Sequence, residues 1–245
     1  MNINRYRDLT ILDDSEKKLV IACDSSGAIG PKELDVVKVD GRILGRFTSR
    51  VVLMELISVG TKPIALIDTL AVEMKPTGGE IIAGIIEEIS SIGLKSEEIL
   101  NGSTEENVPV QQTGIGITGI GQGQKLYCKS FPGDIVLCLG IPKVGHEVKL
   151  DDPEIVDLLV IQRLRRVKEV HEIVPVGSKG IAYEVNELKK RNQLLMEEKK
   201  SNLNINKSSG PATCVVFTAK PTIVKNIDKL FSQQINILGT LKSSV

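Results

Sequence analysis

Aromatic side chains are scarce in this chain, and their absence argues against one class of function. There is no tryptophan, and aromatic residues make up 3% of 245 residues. Proteins that bind single-stranded nucleic acid stack bases on such side chains. The 31 basic residues balance the 31 acidic residues, so no overall positive field attracts nucleic acid or an anionic membrane. We therefore expect a small-molecule site, with neither nucleic acid nor a membrane as a partner.

Histidine and cysteine are also scarce, which argues against metal sites built from nitrogen or sulfur ligands. The two histidines, His146 and His171, are too few for a zinc site built from histidine. The cysteines lie in apolar, strand-like surroundings without a Cys-x-x-Cys pair: Cys23, Cys128, Cys138 and Cys214. We expect buried free thiols rather than metal ligands or disulfides.

Long apolar runs are absent as well. No run approaches the roughly 18 residues that cross a bilayer, and the N-terminal residues contain no apolar core of signal-peptide length. We therefore expect a cytoplasmic protein. A chain of 245 residues can bury a substantial core, and we expect two closely packed lobes.

What the sequence does contain is a glycine-rich stretch from Leu100 to Gly123. It opens with a polar segment, residues 101–107, which we expect to form a turn. From Thr113 to Gly121, β-branched residues alternate with glycine, which predicts a strand with isoleucine on one face and almost no side chain on the other. Repeated glycine in a strand marks the close approach of a backbone or a ligand. We expect a nucleotide or a dimer partner's strand there.

Within this stretch, Gly114, Gly116 and Gly119 match the glycine fingerprint of dinucleotide-binding folds. In that fingerprint the glycines leave a strand and open a helix, whereas here they lie inside the alternating strand pattern. The sequence therefore argues against a dinucleotide-binding fold.

A carboxylate closes the apolar run from Lys18 to Cys23. Asp24 follows this predicted strand and begins a glycine-rich turn that includes Gly27, Gly30 and Lys32. Such a turn can hold a metal ion and surround phosphates with backbone N–H groups. The alternative is an aspartate and serine turn cap without a ligand.

Three further carboxylates interrupt apolar segments. Asp40 ends a predicted strand, Asp68 lies within another, and Glu55 lies on the apolar face of a predicted helix. A buried carboxylate needs a cation, a hydrogen-bond donor or a proton. For Glu55 we expect either a metal ion or a partner arginine such as Arg46 or Arg50.

The rest of the pattern alternates strands and helices, which predicts an α/β architecture. The turn Gly177-Ser178-Lys179-Gly180 opens a helix whose unpaired N–H donors suit an anionic group. Predicted strands cover residues 18–23, 35–39, 62–71, 113–121, 172–176, 212–218 and 235–241, and predicted helices cover residues 43–59, 76–92, 153–167, 180–192 and 221–231.

Several segments resemble one superfamily in order and spacing over roughly residues 15 to 145. This superfamily contains aminoimidazole ribonucleotide (AIR) synthetase, thiamine-monophosphate kinase, selenophosphate synthetase and the hydrogenase-maturation dehydratase. The segments that carry the resemblance are Ile21-Ala22-Cys23-Asp24-Ser25-Ser26, Val37-Lys38-Val39-Asp40, Met54-Glu55 before Gly60-Thr61-Lys62-Pro63, Ile67-Asp68-Thr69, Asn101-Gly102-Ser103-Thr104-Glu105-Glu106 and Phe131-Pro132-Gly133-Asp134.

The resemblance implies a two-lobed AIR synthase-like fold of mixed α/β (α+β) class. Residues 1–145 would form an ATP- and Mg-binding domain whose mixed sheet pairs in a homodimer, and residues 146–245 a smaller C-terminal α/β domain. The implied metal ligands are Asp24, Asp40, Glu55 and Asp68, and the implied catalytic residues are Asp24, Asp40 and Lys179. The implied ATP-binding residues are Gly27, Gly30, Lys32, Gly102, Ser103, Thr104, Glu106, Gly114 and Gly116.

The activity that the resemblance implies is ATP- and Mg-dependent phosphoryl transfer to a small molecule. Residues 175–180 and 209–213 look most like AIR-synthase-related proteins that include α-ribazole kinase of cobalamin salvage. A thiamine-monophosphate kinase-like activity and an AIR synthetase-like ATP-dependent ligation remain alternatives. Glu55 and Ser103 stand where the family commonly has aspartate and an acid, so a nucleotide-binding regulator without turnover also remains.

Overall fold

The structure, a computed structural model, describes residues 2–14 and 16–244. The chain divides into two compact units between Lys125 and Leu126. The first unit contains strands β1 (Asn2–Tyr6), β2 (Leu9–Asp14), β3 (Lys17–Gly27), β4 (Ile29–Gly30), β5 (Val37–Lys38), β6 (Lys62–Leu70), β7 (Leu100–Thr104) and β8 (Gly114–Gly123), and helices α1 (Gly41–Ser58), α2 (Gly79–Ser91) and α3 (Ser96–Ile99). The second unit contains strands β9 (Ile135–Gly140), β10 (Val170–Pro175), β11 (Leu194–Glu198), β12 (Cys214–Ala219) and β13 (Ile235–Ser243), and helices α4 (Leu158–Arg166) and α5 (Gly180–Asn192).

The division between the units lies earlier in the chain than the domain boundary expected after residue 145. Strand β9 is the reason, because it pairs with β12 on one side and with β13 on the other. It is therefore the middle strand of the second sheet, and its apolar residues belong to the second core.

The first unit is built on a six-stranded mixed sheet in the order β1-β2-β3-β8-β6-β7. Within this sheet β6 and β7 pair in parallel, since α2 and α3 form the crossover between them. Strands β4 and β5 form a separate short parallel pair. Helix α1 covers one face, because a Cβ added to Gly119 of β8 would contact Val52 and Leu56 of this helix.

Strand β8 alternates regularly between its two faces, but the order of glycine and isoleucine along it reverses after Thr118. Ile115 and Ile117 face α1, but so do Gly119 and Gly121, which admit the helix closely. The expectation that all glycines share one bare face is therefore wrong. The prediction that the glycine fingerprint lies inside a strand is confirmed.

Helices α1 and α2 pack through glycines. A Cβ on Gly45 would overlap the carbonyl oxygen of Ile81, and a Cβ on Gly84 would overlap that of Arg42. Farther along the same contact, buried Glu88 accepts hydrogen bonds from Arg50 Nε at 2.6 Å and Arg46 Nε at 3.0 Å. The two arginines considered for Glu55 are thus engaged by α2.

The second unit is built on a five-stranded antiparallel sheet in the order β10-β12-β9-β13-β11. One core cluster lies between this sheet and α5, where Val185 and Leu188 of the helix pack with Cys138, Val216 and Leu241. This cluster holds α5 on the sheet, since apolar burial is the main stabilising term.

Several elements differ from the sequence prediction. Residues 101–104 belong to edge strand β7 instead of forming a turn. The predicted helix at 153–167 begins only at Leu158. In place of the predicted helix at 221–231, the chain forms two short 3₁₀ segments, Pro221–Lys225 and Ile227–Lys229. Edge strands carry polar side chains, so their pattern resembles that of a turn.

All four cysteines are free, as predicted, but they are not all buried. Cys138 and Cys214 are buried, Cys128 is half-buried and Cys23 is exposed. Cys23 lies on the face of β3 opposite α1, next in sequence to helix-facing Ala22 and Asp24. No helix in the described part of the chain is both long and apolar enough to cross a bilayer.

Candidate active site

Four residues form a row across the first sheet. Asp24 on β3 is opposite Ile117 on β8, Ile117 is opposite Asp68 on β6, and Asp68 is opposite Gly102 on β7. Neighbours across strands point to the same face, and strands lie about 4.8 Å apart. Asp24 and Asp68 therefore share the helix-covered face, with backbones about 10 Å apart. We call these four residues the carboxylate row.

Asp68 is buried, at 3% exposure. Burial raises the pKa of its carboxyl group, opposed by a hydrogen bond from its own backbone. A Cβ on Gly102 would overlap this carboxyl group, so a larger residue at that position of β7 would displace the Asp68 side chain. The sequence predicted both residues for the site, and the structure brings them together.

Asp24 is half-buried on the other side of Ile117. Burial raises its pKa to about 6, and a hydrogen bond from the backbone of Ser25 limits the rise. Among the described residues, neither Asp24 nor Asp68 has a cationic side chain or a hydroxyl group as a partner. The ionised form of a buried carboxylate without a cationic or hydroxyl partner is costly, and binding a proton or a cation removes that cost.

Both long helices of the first unit begin near this end of the sheet. A Cβ on Gly41, the first residue of α1, would lie 3.0 Å from Cβ of Glu80 in the first turn of α2. Ser26, two residues beyond Asp24 on β3, lies 3.3 Å from the hydroxyl of Thr48 on α1. Carboxylates, hydroxyls and helix starts therefore meet in one region. The first donors of both helices are used within the chain, since Arg42 N donates to Asp40 at 2.7 Å and Gly79 N donates to Met74 O and Pro76 O.

The glycine-rich loop after β3 is fixed by Asp35. Its buried carboxylate accepts hydrogen bonds from the backbone N–H of Lys32 at 2.8 Å and from the N–H and hydroxyl of Thr113, each at 2.7 Å. Gly30 has φ +150° and faces Thr113 so closely that a Cβ would overlap it. The predicted glycine-rich loop therefore exists as a rigid loop, held against the start of β8.

Lys32 reaches from this loop to Glu73, before α2. The ammonium group lies 2.6 Å from the Glu73 carboxylate, which also accepts a 2.5 Å hydrogen bond from Thr77. Burial favours the neutral acid, but the bonds from Lys32 and Thr77 outweigh it and lower the pKa of Glu73 to about 2. An open pocket of about 370 Å³ lies beside this pair.

Sequence reasoning missed Glu73, Thr77, Ser26 and Thr48. Glu73 follows the apolar pair Ala71-Val72, the same signal that singled out Asp68. The hydroxyl residues gave no such signal, because serine and threonine are common in ordinary helices and turns.

Two of the four predicted metal ligands have other partners in the structure. Asp40 is exposed and caps α1, accepting a hydrogen bond from Arg42 N at 2.7 Å. Glu55 lies 2.9 Å from Arg7 Nη1, so its partner is an arginine, although neither of the two arginines expected. Within the described residues, no group of three His, Cys, Asp or Glu side chains could hold a metal ion. The expected four-carboxylate cluster is therefore not assembled.

Four predicted nucleotide-binding residues lie away from the carboxylate row. Gly114 and Gly116 are on the opposite face of β8, where a Cβ would contact Ala71 and Thr69. Ser103 pairs with Thr69 on that same face. Glu106 accepts a hydrogen bond from the backbone N–H of Met74 at 2.7 Å and so holds the turn before α2. By contrast, Thr104 shares the face of Gly102.

Lys179 is in the second unit, before α5. Its ammonium group lies 4.3 Å from the ring centroid of Tyr183. The helix start behind it is covered by the chain itself, because Ala182 N donates to Ile205 O at 2.8 Å and Gly180 lies against Lys207 O. The backbone N–H groups at the start of α5 are therefore not open to an anion, in contrast to the sequence prediction.

Comparison with known proteins gives likeness at the level of structure. No protein-family model and no curated protein matches the sequence. A crystal structure of thiamine-monophosphate kinase from Stenotrophomonas maltophilia K279a superposes with a TM-score of 0.68 at 14% identity, over 99% of this chain and 89% of that one. The chain has an AIR synthase-like fold.

Two further structures share this fold. AaThiL complexed with AMPPCP and TMP gives a TM-score of 0.61 at 14% identity, covering 97% of this chain and 85% of that one. PurL of T. maritima complexed with ATP gives 0.66 at 14% identity, covering 97% of this chain and 42% of that longer one. The fold expected from the sequence resemblance, a two-lobed mixed α/β architecture, is confirmed.

Proposed function

We propose that the chain is an ATP- and Mg-dependent kinase that transfers a phosphoryl group to a small molecule. The observation that carries this proposal is the carboxylate row, in which Asp24 and Asp68 lie on one face without a cationic or hydroxyl partner among the described residues. Two proteins of the same fold support it, since one is named a thiamine-monophosphate kinase and another was crystallised with the ATP analogue AMPPCP.

The residues present fit magnesium carried on a nucleotide better than a metal held by protein alone. Magnesium commonly takes one or two carboxylates and completes its coordination with phosphate oxygens and water. Asp24 and Asp68 supply two carboxylates, whereas Asp40 and Glu55 are engaged elsewhere. When bound, the cation would neutralise charge on the transferred phosphate.

The chain's own contribution is positioning. We propose that Asp24 and Asp68 orient the metal-bound phosphates and that Gly102 leaves the room this needs. Lys32 would bind phosphate oxygens. Phosphoryl transfer depends mainly on such positioning and charge neutralisation and requires no protein nucleophile. Gly27, Gly30 and Thr104 stay proposed contacts of the same nucleotide, whereas Asp40 is held as the cap of α1.

We further propose a homodimer formed through the face of the first sheet opposite α1. This face carries the half-buried side chains of Leu12, Leu19, Ile21, Ile67 and Ile120. Apolar sheet faces of this kind gain stability when a second layer covers them. A second copy would offer the same apolar surface, as in other two-fold symmetric dimers.

For the acceptor we propose α-ribazole, on the likeness of residues 175–180 and 209–213 to α-ribazole kinase. The test is incubation of the protein with Mg-ATP and a panel of ribosides and phosphorylated vitamins, including α-ribazole and thiamine monophosphate, with intact-mass analysis of the products. A kinase adds one phosphoryl group to the acceptor and releases ADP. Asp68→Asn serves as the control that should lose turnover.

The same experiment separates the alternatives. A ligase releases ADP and phosphate and joins or cyclises the acceptor. A regulator binds ATP and consumes none with any acceptor, and that result would overturn the kinase proposal. Phosphorylation of thiamine monophosphate but not α-ribazole would keep the kinase and replace the acceptor.

A further inference from the structure

The second unit contains a cavity of about 290 Å³ between α5, β11, β13 and the segment that follows β11. Two backbone hydrogen bonds fix this segment. Lys199 N donates to Leu238 O at 2.8 Å at one end, and Ile205 O accepts from Ala182 N at 2.8 Å at the other. The segment therefore arches over the gap between the helix and the sheet edge.

The floor of the cavity is apolar. Ile181 and Val185 of α5 and Leu238 of β13 are buried, and Met196 and Leu203 pack against them. A bulge in β13 between Ile237 and Gly239 sets the position of Leu238. Bulges re-aim side chains and recur near binding sites.

The rim of the cavity is polar and carries a net positive charge. Lys199, Lys200 and Glu198 line it together with Asn186 and Ser201. Among the described residues, none of these three charged side chains forms an ion pair, whereas neighbouring Glu197 is 3.0 Å from Lys242. The two ammonium groups are therefore available to a ligand.

We propose that this cavity binds a small amphipathic anion, with an apolar ring on Ile181, Val185 and Leu238 and an acidic group facing Lys199 and Lys200. Ligand sites combine apolar walls with a few polar groups that fix orientation. A volume of about 290 Å³ is at the small end for such sites, so the ring system is compact. This inference is independent of the proposed kinase activity, because it rests on residues of the second unit alone.

The test uses anilinonaphthalene sulfonate, which joins an apolar ring system to an anion, and the full chain. We expect saturable binding with enhanced fluorescence and one site per chain. Ala182→Phe places a ring in the cavity and should weaken binding by about tenfold or more. Ala182→Ser, the matched control, should bind as the wild type does.

The charge of the ligand is tested separately. The double variant Lys199→Gln, Lys200→Gln changes exposed side chains and should weaken binding about threefold to tenfold at low salt, with the difference fading at high salt. The uncharged analogue N-phenylnaphthylamine should bind the double lysine variant with the same affinity as the wild type.

The opposite results would overturn the proposal. They are equal binding by wild type, Ala182→Phe and the double lysine variant. If circular dichroism shows that Ala182→Phe is unfolded, the binding affinity of the double lysine variant still tests the proposal.

Discussion

The ionised carboxylate of Asp24 should destabilise the ligand-free protein, and Asp24→Asn should remove that cost. Burial raises the pKa of Asp24 to about 6 from 3.8, and each pH unit of pKa difference corresponds to about 1.4 kcal/mol. The ionised group therefore costs at most about 3 kcal/mol near neutral pH. Water that reaches this half-buried side chain reduces the expected figure to about 1–2 kcal/mol.

The sign of the pH dependence follows from the raised pKa. The folded state binds the Asp24 proton more tightly than the unfolded state, so this group's contribution is most favourable below about pH 4 and is lost as pH rises through 6. Asp24→Asn should therefore raise the free energy of unfolding at about pH 8 by about 1–2 kcal/mol and leave it nearly unchanged at about pH 4.

Urea denaturation of wild type and variant at both pH values, without metal or nucleotide, measures this difference. Asp40→Asn is the matched control, because asparagine caps helices about as well as aspartate and Asp40 is exposed. A variant less stable than wild type at the higher pH would refute the reasoning, as would an equal gain at both pH values.

Three further outcomes are expected. Gly45→Val should lower the free energy of unfolding in urea by more than about 2 kcal/mol, because its Cβ would overlap Ile81 O. Gly27→Ala, with open space around the added Cβ, should change this free energy little. Equal effects of the two variants would contradict the helix contact. Ile120→Glu should give a monomer in light scattering, and an unchanged dimer would exclude this sheet face. Mg-ATP affinity should fall below about pH 6 as Asp24 becomes protonated, and a flat profile in calorimetry would argue against Asp24 as a ligand.

Local signals in the sequence were enough to predict the main helices of the first unit. Helix α1 is followed by Gly60 at φ +88° and α2 by Gly93 at φ +74°, as the left-handed preference of glycine predicts. The sequence also singled out Asp24 and Asp68, because carboxylates are conspicuous at the end of or within apolar strands, and Gly102, through the family resemblance of the polar segment that contains it.

The partners of the other carboxylates could not be read from the sequence. Glu55 meets Arg7, 48 residues away, and only the paired strands β1 and β2, which were not predicted, bring that arginine near. Asp40 caps α1 because the helix begins at Gly41, two residues before the predicted start at Ile43. Periodicity indicates which face a residue occupies, but tertiary contacts decide what it meets there.

The most direct test of the central claim, that the carboxylate row holds a metal nucleotide, is calorimetric titration of AMPPCP with magnesium. Wild type, Asp68→Asn and Glu55→Gln are compared, each with and without the metal. We predict that Asp68→Asn weakens binding by about tenfold or more, and that Glu55→Gln, whose carboxylate is held by Arg7, binds as wild type does. Wild-type affinity in Asp68→Asn, or an equal loss in Glu55→Gln, would contradict the assignment.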